Sequence, residues 1–244
     1  MFVKVLKFPI NNKKIKPGGF FMTAKSKITL QIASIYIFVL LMGFLLRNYE
    51  TNKHYQWILI FISIFEIAMI CYITGKVDGE PLSSIGLRSF SIMDIVHGAV
   101  LGVVLYLLYS VPTELFTNVS VTISYPFKEM PFLYTLLLIS FINKITEEVI
   151  FRGYIFTKLN QLLSSKCAVI LISFLLIYVI NLSVTLRFVG VNMYGTFITT
   201  VLYCYYLYSF SRKSIIPLII SDGVLIILRA GYGYIIWDAI YSFF

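Results

Sequence analysis

The stretch Gln56-Trp57-Ile58-Leu59-Ile60-Phe61-Ile62-Ser63-Ile64-Phe65-Glu66-Ile67-Ala68-Met69-Ile70-Cys71-Tyr72-Ile73-Thr74 decides the fold. Glu66 is its sole charged side chain, and no period-two alternation breaks the apolar run. A helix of this length rises about 1.5 Å per residue and so matches a hydrocarbon core about 30 Å thick. The stretch is a bilayer-crossing helix. The whole chain has the same character: of 244 residues, 59% are hydrophobic, 17% aromatic and only 13% charged, against roughly a quarter charged in soluble domains. At roughly 20 residues per crossing, the chain accommodates at most about eight spans and no separate soluble domain.

Working outward, near-continuous apolar windows run over 28–46, 92–112, 132–151, 167–186, 192–210 and 215–229, with a shorter one at 232–244. The predicted fold is therefore all-α, a polytopic membrane bundle of seven to eight transmembrane helices. Breaker chemistry at Asp78-Gly79-Glu80-Pro81 and between Pro126 and Pro131 separates the windows. No internal repeat or low-complexity linker divides them, so residues 28–244 read as one domain. Residues 1–27 carry seven Lys and no acid, with apolar stretches too broken for a secretory signal core. They read as a basic cytoplasmic flank, and Met22 reads as a second start.

The net charge of +9 reports orientation. With the N-terminus inside, fourteen Lys and Arg fall in inner segments and five in outer ones (Arg47, Lys53, Lys128, Arg187, Arg229), while Lys144 lies in a span. That asymmetry predicts an integral membrane protein with a cytoplasmic N-terminus, taken as a bacterial plasma-membrane protein. No basic stripe with interleaved aromatics accompanies the charge, which excludes a nucleic-acid partner and leaves the lipid bilayer as the first one. Cys71, Cys167 and Cys204 sit in apolar runs without metal-ligand spacing and read as small packing residues. The many Tyr and Phe read as interfacial and lipid-facing.

A charge inside a spanning helix is costly unless paired or facing a wet cavity, so such residues are functional candidates. One cluster dominates: Asn143-Lys144-Ile145-Thr146-Glu147-Glu148-Val149-Ile150-Phe151-Arg152-Gly153-Tyr154. On a regular helix Glu148 and Arg152 share a face, with Lys144 one turn before Glu148, while Glu147 points about 100° away. The spacing predicts Glu148 as the paired structural carboxylate, held between two cations, and Glu147 as the one free for chemistry. The other reading is an ion-pair network that joins helices without any reaction.

The string Glu147-Glu148-Val149-Ile150-Phe151-Arg152-Gly153-Tyr154 resembles the first signature of the CPBP (CAAX protease and bacteriocin-processing) family of intramembrane metalloproteases, Glu-Glu-x-x-x-Arg with Phe before the Arg and Gly after it. The lead-in Ile85-Gly86-Leu87-Arg88, Gly195 in an apolar helix, and the approach through Ser211 to Ile220 are similar to that family too, so the resemblance covers residues 84–230. It departs at two signatures. Where the family has Phe-x-x-x-His, this chain has Ile177 and Asn181. Where it has His-x-x-x-Asn or Asp, the matching positions are Ser221 and Leu225, with Asp222 one residue beyond the missing histidine. The two histidines present are His54, in an outer loop, and His97, in the third span.

The resemblance implies an endopeptidase that cuts a membrane-associated or prenylated (CAAX-type) peptide with glutamate-activated water. Its site would be Glu147 as base, Glu148 and Arg152 as geometry, and Asn181 and Asp222 as compensating polar groups. Zinc prefers imidazole or thiolate donors; this set offers oxygen alone, so no cofactor is expected. The rival is an inactive family member that binds peptides or a partner membrane protein, as a scaffold, immunity or regulatory protein. Asp222 is read either as a replacement polar ligand or as a partner neutralising Lys144 or Arg152. Asp94 and His97 are read as a helix-start cap and a packed histidine, and Glu66 as a lining residue of the same cavity.

Overall fold

The computed structural model describes residues 23–48, 55–110, 141–184, 189–209 and 214–228. All regular structure among them is helical, and the protein is a helical membrane bundle. Helix α1 is Ala24–Asn48; α2 is Tyr55–Tyr72, continued by a π turn at Ile73–Val77; a 3-10 turn at Leu82–Ile85 leads to α3, Ile92–Leu105, continued by a π turn at Tyr106–Ser110. Then come α4, Phe141–Glu147, a π segment at Glu148–Ile155, and α5, Phe156–Leu162. Helices α6, Lys166–Val184, α7, Val189–Ser209, and α8, Ile216–Ile227, complete the described bundle.

By length and composition, Ala24–Leu45, Trp57–Val77 and Ile92–Tyr109 are each long and apolar enough to cross a membrane, and Lys166–Asn181 and Ile216–Ile227 are shorter apolar helices. Large apolar side chains such as Phe61, Phe65, Val100 and Leu171 stand on the outside, as lipid permits and water does not. The window at 232–244 and the first part of 132–151 lie outside the described residues. Beyond position 151 the helical path runs on through Leu162, past the end that hydropathy predicts. The extension carries Arg152, Lys158, Asn160 and Gln161, which lower its hydropathy, but each of them donates to a protein acceptor.

Two glycines bring α3 and α8 together. A Cβ on Gly98 would lie 2.6 Å from Ile220 Cβ and 2.7 Å from the Pro217 carbonyl oxygen, and one on Gly102 would lie 2.8 Å from the Ser221 carbonyl oxygen. Apolar burial does not drive helices together in lipid, so close backbone approach across small residues does. The pairing of Gly98 with 217 and 220, and of Gly102 with 221 and 224, makes the two helices parallel. Helix α3 starts in a capping box: the Ser91 hydroxyl accepts from Met93 N–H, and the Asp94 carboxylate accepts from Ser91 N–H at 2.8 Å. Asp94 thus caps the helix as its position predicts. His97 packs edge-on to Tyr206, Nδ1 lying 3.2 Å from the Tyr206 hydroxyl.

At one end of the bundle, the segment read as a simple breaker is a clamp. Lys158 is buried and bridges Asp78 at 2.9 Å and Glu80 at 3.1 Å. Gln31 of α1 donates to Asp78 Oδ1 at 2.8 Å, and the Tyr154 hydroxyl donates to Asp78 Oδ2 at 3.2 Å. Close contact between Gly153 and the Ile85 carbonyl oxygen, which a Cβ would approach to 2.8 Å, seats the 3-10 turn on the π segment. Gly86, at φ +83°, turns the chain so that its carbonyl accepts from Ile215 N–H at the start of α8. These contacts fix α1, the π segment and α8 relative to one another.

Candidate active site

The charged string folds as a wide turn and not as a regular helix. From Glu148 the hydrogen bonds lengthen to five-residue steps, as where Phe156 N–H reaches the Phe151 carbonyl. π segments of this kind recur at functional sites because they shift side-chain register. Here the shift lets one guanidinium reach two carboxylates: Arg152 Nη1 donates to Glu148 Oε1 at 2.6 Å and to Glu147 Oε1 at 3.3 Å. Glu148 and Arg152 are both buried, at 0% and 4% side-chain exposure. Their pairing is the one that the four-residue spacing predicts.

Two expectations need correction. Lys144 pairs with Glu147 Oε2, three residues on, and not with Glu148. Glu147 is therefore not free of ion pairs: one oxygen faces Lys144 and the other Arg152. The cause is register, since α4 ends at Glu147 and the wider turn begins there, which swings Arg152 toward the carboxylate that a 3.6-residue period would hold away. Glu147 keeps 18% side-chain exposure, and that exposure is to a cavity.

The cavity, about 260 Å³, is lined by Lys144, Glu147 and Arg152 from the fourth helical path, Ile177 and Asn181 from α6, Tyr109, Gly195, Thr196 and Thr199, and Asp222, Leu225 and Ile226 from α8. Three of the residues singled out from sequence, Glu147, Asn181 and Asp222, thus line one cavity, as does Arg152; Glu148 is not among the lining residues and pairs with Arg152 from behind. Ile177 and Asn181, four apart, reach it together because they share a helix face. Asn181 Nδ2 donates to Thr196 Oγ1 at 3.1 Å. Gly195 gives space on this wall, since a Cβ there would meet the Tyr109 ring at 2.5 Å.

At the missing third-signature histidine, Ser221 is fully buried and turned away from the cavity while Asp222 lines it. Asp222 forms no direct ion pair with Lys144 or Arg152: among the described residues no cation lies within 4.0 Å of it, and the two charges act on it from farther away. Its Oδ1 instead accepts a 2.8 Å hydrogen bond from the Tyr203 hydroxyl, which also lies 3.0 Å from Ser221 Oγ. Tyr203 is completely buried, and the Arg152 guanidinium stands 5.3 Å from its ring centroid. Tyr203 is thus no lipid-facing aromatic, and neither is the buried Tyr154. With eighteen Tyr in the chain, nothing in the sequence separates Tyr203 from the rest, whereas Tyr154 ends the charged string. Glu66 is buried in α2 but does not line this cavity. Cys167 is exposed at the start of α6, unlike the buried Cys204.

Residues 129–225 match the family model described as Type II CAAX prenyl endopeptidase Rce1-like. No curated protein and no solved structure matches the chain. The matched segment holds the π segment, α6, α7 and the first ten residues of α8, and with them Glu147, Glu148, Arg152, Asn181 and Asp222.

Proposed function

We propose that the chain, whose residues 129–225 match that family model, is a member of the CPBP family and an intramembrane endopeptidase acting on a peptide of a membrane-associated or prenylated protein. The observation that carries this reading is the convergence of Glu147, Asn181 and Asp222 on one cavity inside the bundle. Water held there gives a proton to Glu147, and its oxygen attacks the peptide carbonyl carbon. The developing oxyanion is met by donors already on the wall: an Asn181 amide N–H and the Lys144 ammonium. Glu147 then returns the proton to the leaving amine as the carbon–nitrogen bond breaks. Glu148 holds Arg152, and Arg152 holds Glu147, through the ion pairs described above.

The donor set does not suit a catalytic zinc. Both Glu147 oxygens face cations, and Asn181 and Asp222 supply oxygen where zinc favours imidazole or thiolate. No step here runs through a metal. The Lys and Arg asymmetry supports an N-terminus on the cytoplasmic side of a bacterial plasma membrane.

A second reading, peptide binding without cleavage, draws on one observation: a carboxylate engaged by two cations and supported, among the described residues, by no imidazole on the cavity wall is a poorly equipped base. Cleavage of a short lipidated peptide by wild type and Glu147→Gln separates the two. Hydrolysis predicts that the substitution lowers turnover by about 100-fold or more and fails to complement a deletion strain. A Glu147→Gln protein that cleaves and complements like wild type overturns it. Binding of the peptide by wild type without product supports the scaffold, immunity or regulatory role.

A further inference from the structure

Formal charge in the cluster at and behind the cavity does not balance: two cations, Lys144 and Arg152, meet three carboxylates, Glu147, Glu148 and Asp222. Lys144 and Arg152 are matched by Glu147 and Glu148 through three short ion pairs. Asp222 is the carboxylate of the three without an ion pair within 4.0 Å among the described residues, and the Lys144 and Arg152 charges act on it from farther away. It is 4% exposed, lines the cavity, and has one oxygen, Oδ1, engaged by Tyr203; its Oδ2 has no hydrogen-bond partner among the described residues. An unpaired carboxylate inside a membrane bundle is costly unless a cation or a proton reaches it. The two cations that share the cavity, Lys144 and Arg152, are engaged by Glu147, and on the same cavity stand the Thr196 and Thr199 hydroxyls as further oxygen acceptors. That is the surrounding a primary ammonium needs for its three donors. At about 260 Å³ the space falls below the roughly 300 Å³ at which drug-sized ligand pockets begin, and so suits one extended side chain or chain end.

We infer that the cavity recognises its peptide through an ammonium group docked on Asp222, which Tyr203 holds in place. The inference deepens the peptide-binding reading above and rests on it. Tyr203 fixes Oδ1 so that Oδ2 stays turned into the cavity, and the buried Ser221 hydroxyl fixes Tyr203 in turn. The ligand chemistry is a lysine side chain or a free N-terminal amine, not an apolar or an acidic group.

Calorimetric titration of the purified full chain in detergent with n-butylammonium chloride, n-butanol and sodium butyrate at matched ionic strength tests this without turnover. Butylammonium is expected to bind about tenfold or more tightly than butanol, with butyrate weakest, and Asp222→Asn to erase the difference. Tyr203→Phe is expected to narrow it. Peptides carrying Lys or norleucine, each with a free or acetylated N-terminus, then assign the amine to side chain or terminus. Equal binding of butylammonium and butanol by wild type overturns the inference even where Asp222→Asn does not fold, as does an ammonium preference that survives in that variant. A wild type that prefers ammonium yet cleaves no peptide overturns hydrolysis and keeps this site.

Discussion

Two polar clusters sit in this apolar bundle, and they differ in how completely they are satisfied. The clamp around Lys158 spends its groups on one another: both Asp78 oxygens accept, and Lys158 bridges two carboxylates. The cluster around Arg152 does not close. Among the described residues Glu148 Oε2 and Arg152 Nε are buried without a hydrogen-bond partner, and Asp222 keeps one oxygen open to the cavity. Buried polar atoms left unpaired are rare in native structures and call for an explanation. A saturated network joins elements; an unsaturated one next to a cavity keeps capacity for a ligand. The contrast supports the proposed assignment of the Arg152 cluster as the site, with the Lys158 cluster as its brace.

The largest effect tests the unsaturated cluster. Arg152→Ala would leave Glu147 and Glu148 sharing a buried region with Lys144 as their remaining cation. Removal of one partner from a buried pair typically costs about 3–5 kcal/mol. Folded yield and thermal unfolding in detergent should both fall sharply, and Glu148→Gln should fall in the same direction. Normal yield from both variants would mean that this pair does not carry structure.

A smaller loss is expected at the brace. Lys158→Met removes the shared cation, but Asp78 retains Gln31 and Tyr154 as donors, and Glu80 is 29% exposed and so reaches solvent. The cost should be about 1.5–3 kcal/mol, the range for hydrogen bonds to charged groups. Cleavage and ammonium binding per folded molecule should stay at the wild-type level. Loss of either at normal folded yield would erase the distinction between brace and site.

The two clusters were also unequally legible in the sequence. Charges are scarce enough that Glu147, Glu148 and Arg152 announce themselves, and the apolar windows placed the helices that carry them. Which cation meets which carboxylate is not legible: a regular helix lets Lys144 reach either the third or the fourth residue on, and Arg152 lies where the chain widens into a π segment. Asp78 and Glu80 were read as loop chemistry, since their partner Lys158 lies about eighty residues away and pairing at that distance leaves no periodic trace. Tyr203 was hidden by the abundance of its own residue type. The four-residue spacing of Gly98 and Gly102 was in plain view, but its meaning depends on which helix packs there, and that is a property of the bundle.

The smallest effect, and the one most particular to the brace, is its response to pH. Asp78 lies just past the apolar stretch that ends at Val77. Burial works to raise its carboxyl, but the hydrogen bonds from Lys158 and Gln31 and the Lys158 charge outweigh it and hold the group below the usual carboxylate range. A group whose folded-state value is depressed contributes stability that is complete above its unfolded value and is lost as pH falls through the folded one. The clamp should therefore be at full strength above about pH 5 and weaken as the pH drops below about 4. Other carboxylates titrate in the same window, so the informative quantity is the gap between wild type and Asp78→Asn. Thermal midpoints of the two, followed from neutral to acid pH, should converge on acidification because the variant has no proton to take up at that position. Curves that stay parallel throughout would show that Asp78 is not ionised in the clamp, and the brace would then rest on the Lys158–Glu80 pair.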